Sequence, residues 1–183
     1  MKAFIAALML VATPVTASDW QLDREASHLG FAYQQTSAPA EGQFNAFDAE
    51  ISFDPADPTA AKIRVVVDLA SIDLGAKDRN KIAADPIWFD SSAHSEAVFT
   101  ASGTTPLGGN RYRADGILAI KGIDKPATLD FTLDIDGDTA HAVGNTTLAR
   151  LDWDLGDGQY ASERFIGFSV RVNFDIKAER IAP

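Results

Sequence analysis

The chain has 183 residues, 46% of them apolar and 23% charged, with a formal net charge of −10. This suits one sizeable core and is short for two domains, and the acidic balance argues against capture of nucleic acid or of an anionic membrane surface. Cysteine is absent, which excludes thiol catalysis, disulfides and thiolate metal sites together.

Residues 1–17 read as a removable leader. Lys2 supplies the positive start, the stretch from Ala3 to Val15 is almost wholly apolar, and Val15-Thr16-Ala17 offers small residues for cleavage after Ala17. Removal would take away one lysine and no acid, shifting the net charge from −10 to −11. No later apolar run approaches the roughly 18 residues of a membrane span. The expectation is a cleaved signal peptide, a single domain over 18–183, and export to a bacterial periplasm.

Beyond the leader the dominant period is two, the signature of strands with one buried and one wet face. Leu29, Phe31 and Tyr33 alternate with smaller or polar residues, and Ala49, Ile51 and Phe53 follow. Ile63, Val65, Val67 and Leu69 form a third run, and Leu129, Phe131, Leu133 and Ile135 a fourth. The longest carries Ile166, Phe168, Val170, Val172, Phe174 and Ile176. Weaker strands are predicted over 97–103, 111–120 and 140–151. Turn residues separate them, and the short turns at 108–110 and 136–138 predict antiparallel hairpins. Only 75–89 has helical character, giving one or two short helices ended by Pro86. About eight amphipathic strands predict an all-β antiparallel barrel or sandwich.

The chemistry-bearing residues are sparse. His28, His94 and His141 lack the spacing of a compact metal site. The run Asp134-Ile135-Asp136-Gly137-Asp138 has its glycine in the wrong place for a calcium loop and reads as a hairpin turn. Three carboxylates in 152–157 lack the separated pair that acid–base work needs. No serine stands in a nucleophile motif, and no glycine loop fits a phosphate. No catalytic residue, metal or cofactor is expected. Periodicity leaves open whether the barrel interior is packed or hollow.

Ordered pieces along the chain resemble one family. They are Trp20-x-Leu22-Asp23, Ser27-x-Leu29-x-Phe31, Gly42-x-Phe44-x-x-Phe47, Ile51-x-Phe53-Asp54-Pro55 and Val67-Asp68-Leu69-Ala70-Ser71-Ile72. Asp78-Arg79-Asn80, Trp88-Phe89-Asp90, Ala97-x-Phe99, Gly116-x-Leu118-x-Ile120-Lys121-Gly122 and Arg150-x-Asp152-Trp153-x-Leu155-Gly156 continue the series. Together they resemble the YceI-like family of lipid- and polyisoprenoid-binding proteins over essentially the whole length beyond the leader. Two departures are Asn80, where the family usually has Asp, and His94-Ser95-Glu96, where it tends to have Pro.

The resemblance implies an extended lipocalin-like barrel of about eight strands with an apolar pore for a long-chain lipid. The expected pore residues are Phe31, Tyr33, Phe44, Phe47, Ile51, Phe53, Val65, Val67, Phe99, Leu118, Leu129, Phe131, Leu133 and Phe168, with Ile87, Trp88 and Phe89 at a lid or pore end. Arg79, Asn80 and Arg150 are head-group candidates, although either arginine has a structural pairing as its simpler role. The expected function is a periplasmic carrier of a polyisoprenoid, quinone-like or fatty lipid. Two alternatives stay open: a lipid-acting enzyme, or a packed barrel that docks a membrane redox partner. A homodimer through a barrel edge or the 75–89 segment is a further open expectation.

Overall fold

A computed structural model describes residues 18–181 of the chain. The expected leader, 1–17, and its cleavage point lie outside the described residues.

Among the described residues twelve strands form one antiparallel sheet closed on itself. They are β1 (Ser18–Leu22), β2 (His28–Gln35), β3 (Ala38–Phe44), β4 (Phe47–Phe53), β5 (Lys62–Asp68) and β6 (Ile72–Asp73), then β7 (Glu96–Ser102), β8 (Thr105–Gly108), β9 (Arg111–Ile120), β10 (Ile123–Asp136), β11 (Thr139–Ala149) and β12 (Ser169–Arg180). These make eight staves. β3 and β4 are one stave broken at Asn45-Ala46. β1 and β2 share the slot between that stave and β12: β1 pairs with β4 and the end of β12, while β2 pairs with β3 and the start of β12. The other staves are β5, β7, β9, β10 and β11. The result is an all-β, eight-stave antiparallel barrel with one short helix.

The hairpins follow the turn residues. Lys121 and Gly122 both have positive φ, +54° and +73°, the primed turn whose twist suits a two-residue hairpin between β9 and β10. The expected hairpins at 108–110 and 136–138 join β8 to β9 and β10 to β11, both antiparallel. Helix α1 (Lys77–Ala84) occupies the helical segment. It ends at Asp85, whose ψ of 156° is the extended state that a following proline imposes.

Two features differ from the sequence reading. The long terminal run is not one strand from Ile166. β12 begins at Ser169, and Ile166 makes only an isolated bridge to Gln35. Arg150 is the reason: its side chain binds the carbonyls of Ile166 and Gly167, and its backbone N–H binds the carbonyl of Phe168, so this stretch wraps an arginine. Second, β1 and β3 arise without marked alternation. β1 has only five residues, and β3 (APAEGQF) carries proline, alanine and glycine where a strand usually shows branched or aromatic side chains.

Buried side chains lie in three tiers. At the base are Trp20, Phe53, Ala61 and Ala178; in the middle Phe99, Ala101, Ala114 and Ala127; at the top Leu69, Ala97, Ile120, Trp153 and Leu155. Between them the axis of the barrel is not filled.

Candidate functional site

The inward side chains enclose a cavity of about 430 Å³. Its lining is apolar over most of its surface because every stave presents its alternating face to the axis. The base is closed. Trp20 is 3% exposed, its Nε1 donates to the carbonyl of Phe53 at 3.1 Å, and Arg180 covers the indole at 4.4 Å from the ring centre. Phe53 meets Tyr112 edge-on at 5.3 Å. The opposite end opens between α1, the β2–β3 hairpin and the strap of residues 154–168, where the exposed side chains of Ile82 and Arg79 join the lining.

Three inward glycines hold aromatic rings against the wall. A Cβ on Gly42 would stand 2.5 Å from Phe31 Cζ, one on Gly116 2.6 Å from Phe99 Cζ, and one on Gly144 2.5 Å from Phe174 Cζ. Each ring lies in the recess left by the missing side chain instead of projecting across the barrel.

Of the pore residues expected from sequence, Phe31, Tyr33, Phe44, Phe47, Ile51, Phe53, Val65, Val67, Phe99, Leu118, Leu129, Phe131 and Leu133 line the cavity. Trp88 and Phe89 do so at its open end. Phe168 and Ile87 do not. Phe168 lies outside β12 with its ring 5.5 Å from the Arg150 guanidinium, and Ile87 turns toward Gly158. The wall also includes Leu29, Ile63, Ile135, Leu148, Val170, Val172, Phe174 and Ile176. Most of these share the parity of the expected residues on the same runs, so alternation alone was enough to find them.

The three head-group candidates separate. Arg79 faces the opening. Asn80 does not line the cavity: its Oδ1 accepts the N–H of Leu74 at 2.8 Å and its Nδ2 lies 3.5 Å from Asp73, tying α1 to β6. Arg150 is 3% exposed, and all five of its N–H groups are taken by backbone carbonyls. Nε donates to Gly167 at 3.0 Å, Nη1 to Leu155 at 2.6 Å and Gly156 at 3.2 Å, and Nη2 to Ile166 at 3.0 Å and to Tyr160. Trp88 and Phe168 flank it. Burial lowers its pKa from the ordinary arginine value, partly opposed by Glu163. With no donor left for a ligand, Arg150 organises the strap at the mouth.

Near Arg79 the Tyr33 phenol is pushed up in pKa by burial and pulled partly back by the guanidinium charge. The Nε1 of Trp88, which packs on Tyr160 at 5.2 Å, is buried with no acceptor among the described residues. The three histidines stand apart: His141 pairs with Asp175 at 2.7 Å, His94 lies beside Gly122 and His28 beside Gly30.

The wall has a seam. β10 and β11 are laddered only from Asp130↔Asn145 to Asp136↔Thr139. Toward the mouth the strands part, and Trp153 fills the gap with its Nε1 bonded to the carbonyl of Leu118 at 3.0 Å. Outside, Thr128, Asp130, Asn145, Thr147 and Asp152 form a polar groove whose floor (Ala127, Thr146, Leu148 and Trp153) also lines the lumen.

A closed antiparallel barrel with an apolar, singly open lumen belongs to the ligand-cavity class of small barrels. The family model of the YceI-like domain matches residues 20–178, and the chain belongs to the YceI-like family. A UPF0312 protein of Shewanella baltica (strain OS185) is 31% identical over 153 residues, covering 79% of this chain and 72% of its own. Among solved structures, Burkholderia cenocepacia BcnA aligns with a TM-score of 0.82 at 31% identity, over 85% of this chain and 98% of that one. A domain from Saccharophagus degradans, described as polyisoprenoid-binding and implicated in plant cell wall breakdown, aligns with a TM-score of 0.70 at 21% identity, over 91% and 99%. This last likeness is one of fold.

Proposed function

We propose that the protein is a carrier that holds a polyisoprenoid, quinone-like or fatty lipid in its lumen and, once its leader is removed, ferries it through a bacterial periplasm. One observation carries this reading: a cavity of about 430 Å³ lined almost wholly by hydrocarbon. Water in such a lumen finds almost no hydrogen-bonding partner on the wall, so its replacement by hydrocarbon is favourable. Each methylene sheltered there gains roughly 0.8 kcal/mol, so a long chain is held by its length. The polyisoprenoid-binding description of the Saccharophagus domain supports the same class of cargo. A barrel serving only as a packed docking module would have a filled interior, and the lumen counts against that alternative. The reading calls for no catalytic group, second copy or redox partner.

The test is to express the chain with its leader, purify it without detergent, and apply native mass spectrometry followed by solvent extraction and titration with prenyl alcohols, quinones and fatty acids. A discrete extra mass that extracts as a long-chain lipid, or saturable uptake of one, is the expected result. A protein that emerges bare and refuses all three classes would overturn the proposal.

A further inference from the structure

The chemistry of the mouth narrows the cargo, on the premise that the lumen is a carrier site. Apart from three indoles, the hydrogen-bonding side chains reaching the lumen are Tyr33, Gln35, Arg79, Thr146, Arg150 and Tyr160. Arg150 is fully occupied by carbonyls, and Thr146 belongs to the seam. The remaining four stand at the open end. Among the described residues Arg79 is in no ion pair; Arg111, Arg164 and Arg171 share this, but of these four Arg79 alone lines the lumen. The unpartnered Nε1 of Trp88 adds another donor beside Tyr160.

The mouth therefore offers donors in excess, one of them a cation, above a hydrocarbon shaft closed at the far end. A guanidinium and an indole can only donate, so the complementary head is an acceptor without protons of its own. One unpaired positive charge matches one negative charge. A head with several charges would meet one lumen-lining cation free of carbonyls, on a chain of net charge −10, with Lys77, Asp78 and Lys81 of the same helix outside the lining. We infer that the lumen takes a single-chain amphiphile with a monoanionic carboxylate head, tail toward Trp20 and carboxylate between Arg79 and the Tyr33 hydroxyl.

The test uses the delipidated protein loaded with an apolar fluorescent probe, displaced by hexadecanoate, hexadecanol or hexadecyl phosphate below their micelle concentrations. Hexadecanoate is expected to bind about tenfold more tightly than the alcohol, as a charge-assisted hydrogen bond at a partly open site supplies. The phosphate is expected to gain nothing further. Arg79→Gln should erase the acid–alcohol difference while keeping probe uptake and alcohol affinity, and Lys81→Gln, the same charge change on the same helix, should leave it intact. Equal affinities for acid and alcohol, a preference that survives Arg79→Gln, one that falls equally with Lys81→Gln, or tighter binding of the phosphate would each overturn the assignment while leaving the carrier reading standing. If neither probe nor any amphiphile binds, the carrier reading fails and this inference with it.

Discussion

Arg150→Met removes five N–H donors from the mouth while keeping a stem of similar length. Two effects oppose each other. Losing a buried charge is favourable, since desolvation of an ion costs several kcal/mol. Against that, five carbonyls lose their donor together. Those of Leu155 and Gly156 belong to buried residues, and each stranded buried acceptor costs about 1–3 kcal/mol. The carbonyls of Tyr160, Ile166 and Gly167 lie on half-buried residues and regain water once the strap loosens. The net expectation is a loss of about 3–5 kcal/mol, the stranded acceptors and the loosened strap together outweighing the desolvation that is relieved. At about 2–4 °C per kcal/mol for a chain of this size, the melting temperature should fall by roughly 10 °C. Arg150→Lys should rescue little, because an ammonium cannot reach five acceptors arranged around a planar fork. Urea unfolding followed by tryptophan fluorescence measures the loss, and amide exchange over 154–168 locates it. A variant within about 0.5 kcal/mol of the parent, or exchange that rises evenly around the barrel and not in the strap, would refute the reasoning.

Other outcomes follow from the same geometry. Gly144→Ala places a Cβ 2.4 Å from the carbonyl of Asp130 and 2.5 Å from Phe174, so it should cost about 1–3 kcal/mol and weaken uptake of an apolar probe, both read by titration and denaturation. Phe131→Asp puts a carboxylate in the hydrocarbon shaft; it should abolish probe binding at neutral pH and recover part of it in acid, where the group is neutral. Tyr33 should titrate above its ordinary value of 10.0. Because its folded pKa is raised, the stability it contributes is fully present below about pH 10 and is lost as pH rises through the folded pKa. A spectrophotometric phenolate titration should show this late component, absent in Tyr33→Phe. Trp153→Phe deletes the hydrogen bond to Leu118 and should cost about 1 kcal/mol while speeding release of a bound probe.

Much of the lumen was legible because alternation is a local signal. A strand with one wet face announces its buried face, so Phe31, Val65, Leu118, Phe131 and their neighbours could be placed on the inside from residue order alone. Long-range geometry could not be read this way. Nothing in the spacing of Arg150 shows that the carbonyls from Leu155 to Gly167 fold back around it, and this capture removes Ile166 and Phe168 from the terminal strand. Asn80 reads as a polar residue beside Arg79, yet its role is set by Leu74 and Asp73 across a turn. Proline, alanine and glycine hide β3 because that strand is held by pairing with β2 more than by its own side chains. That the axis stays hollow is equally non-local: it depends on which ring meets which glycine across neighbouring strands.

The parting of β10 and β11 has a mechanical consequence. Below Asp130 and Asn145 their junction is stitched by backbone hydrogen bonds, and its girth is as fixed as the ladder spacing. Above them the described residues show no ladder pairing across the junction. What spans it there is Trp153, with its bond to Leu118, and Leu148 packed on the middle and upper tiers. At this junction the barrel is thus a cup whose lower wall is laced by backbone pairing and whose rim is held by side chains alone.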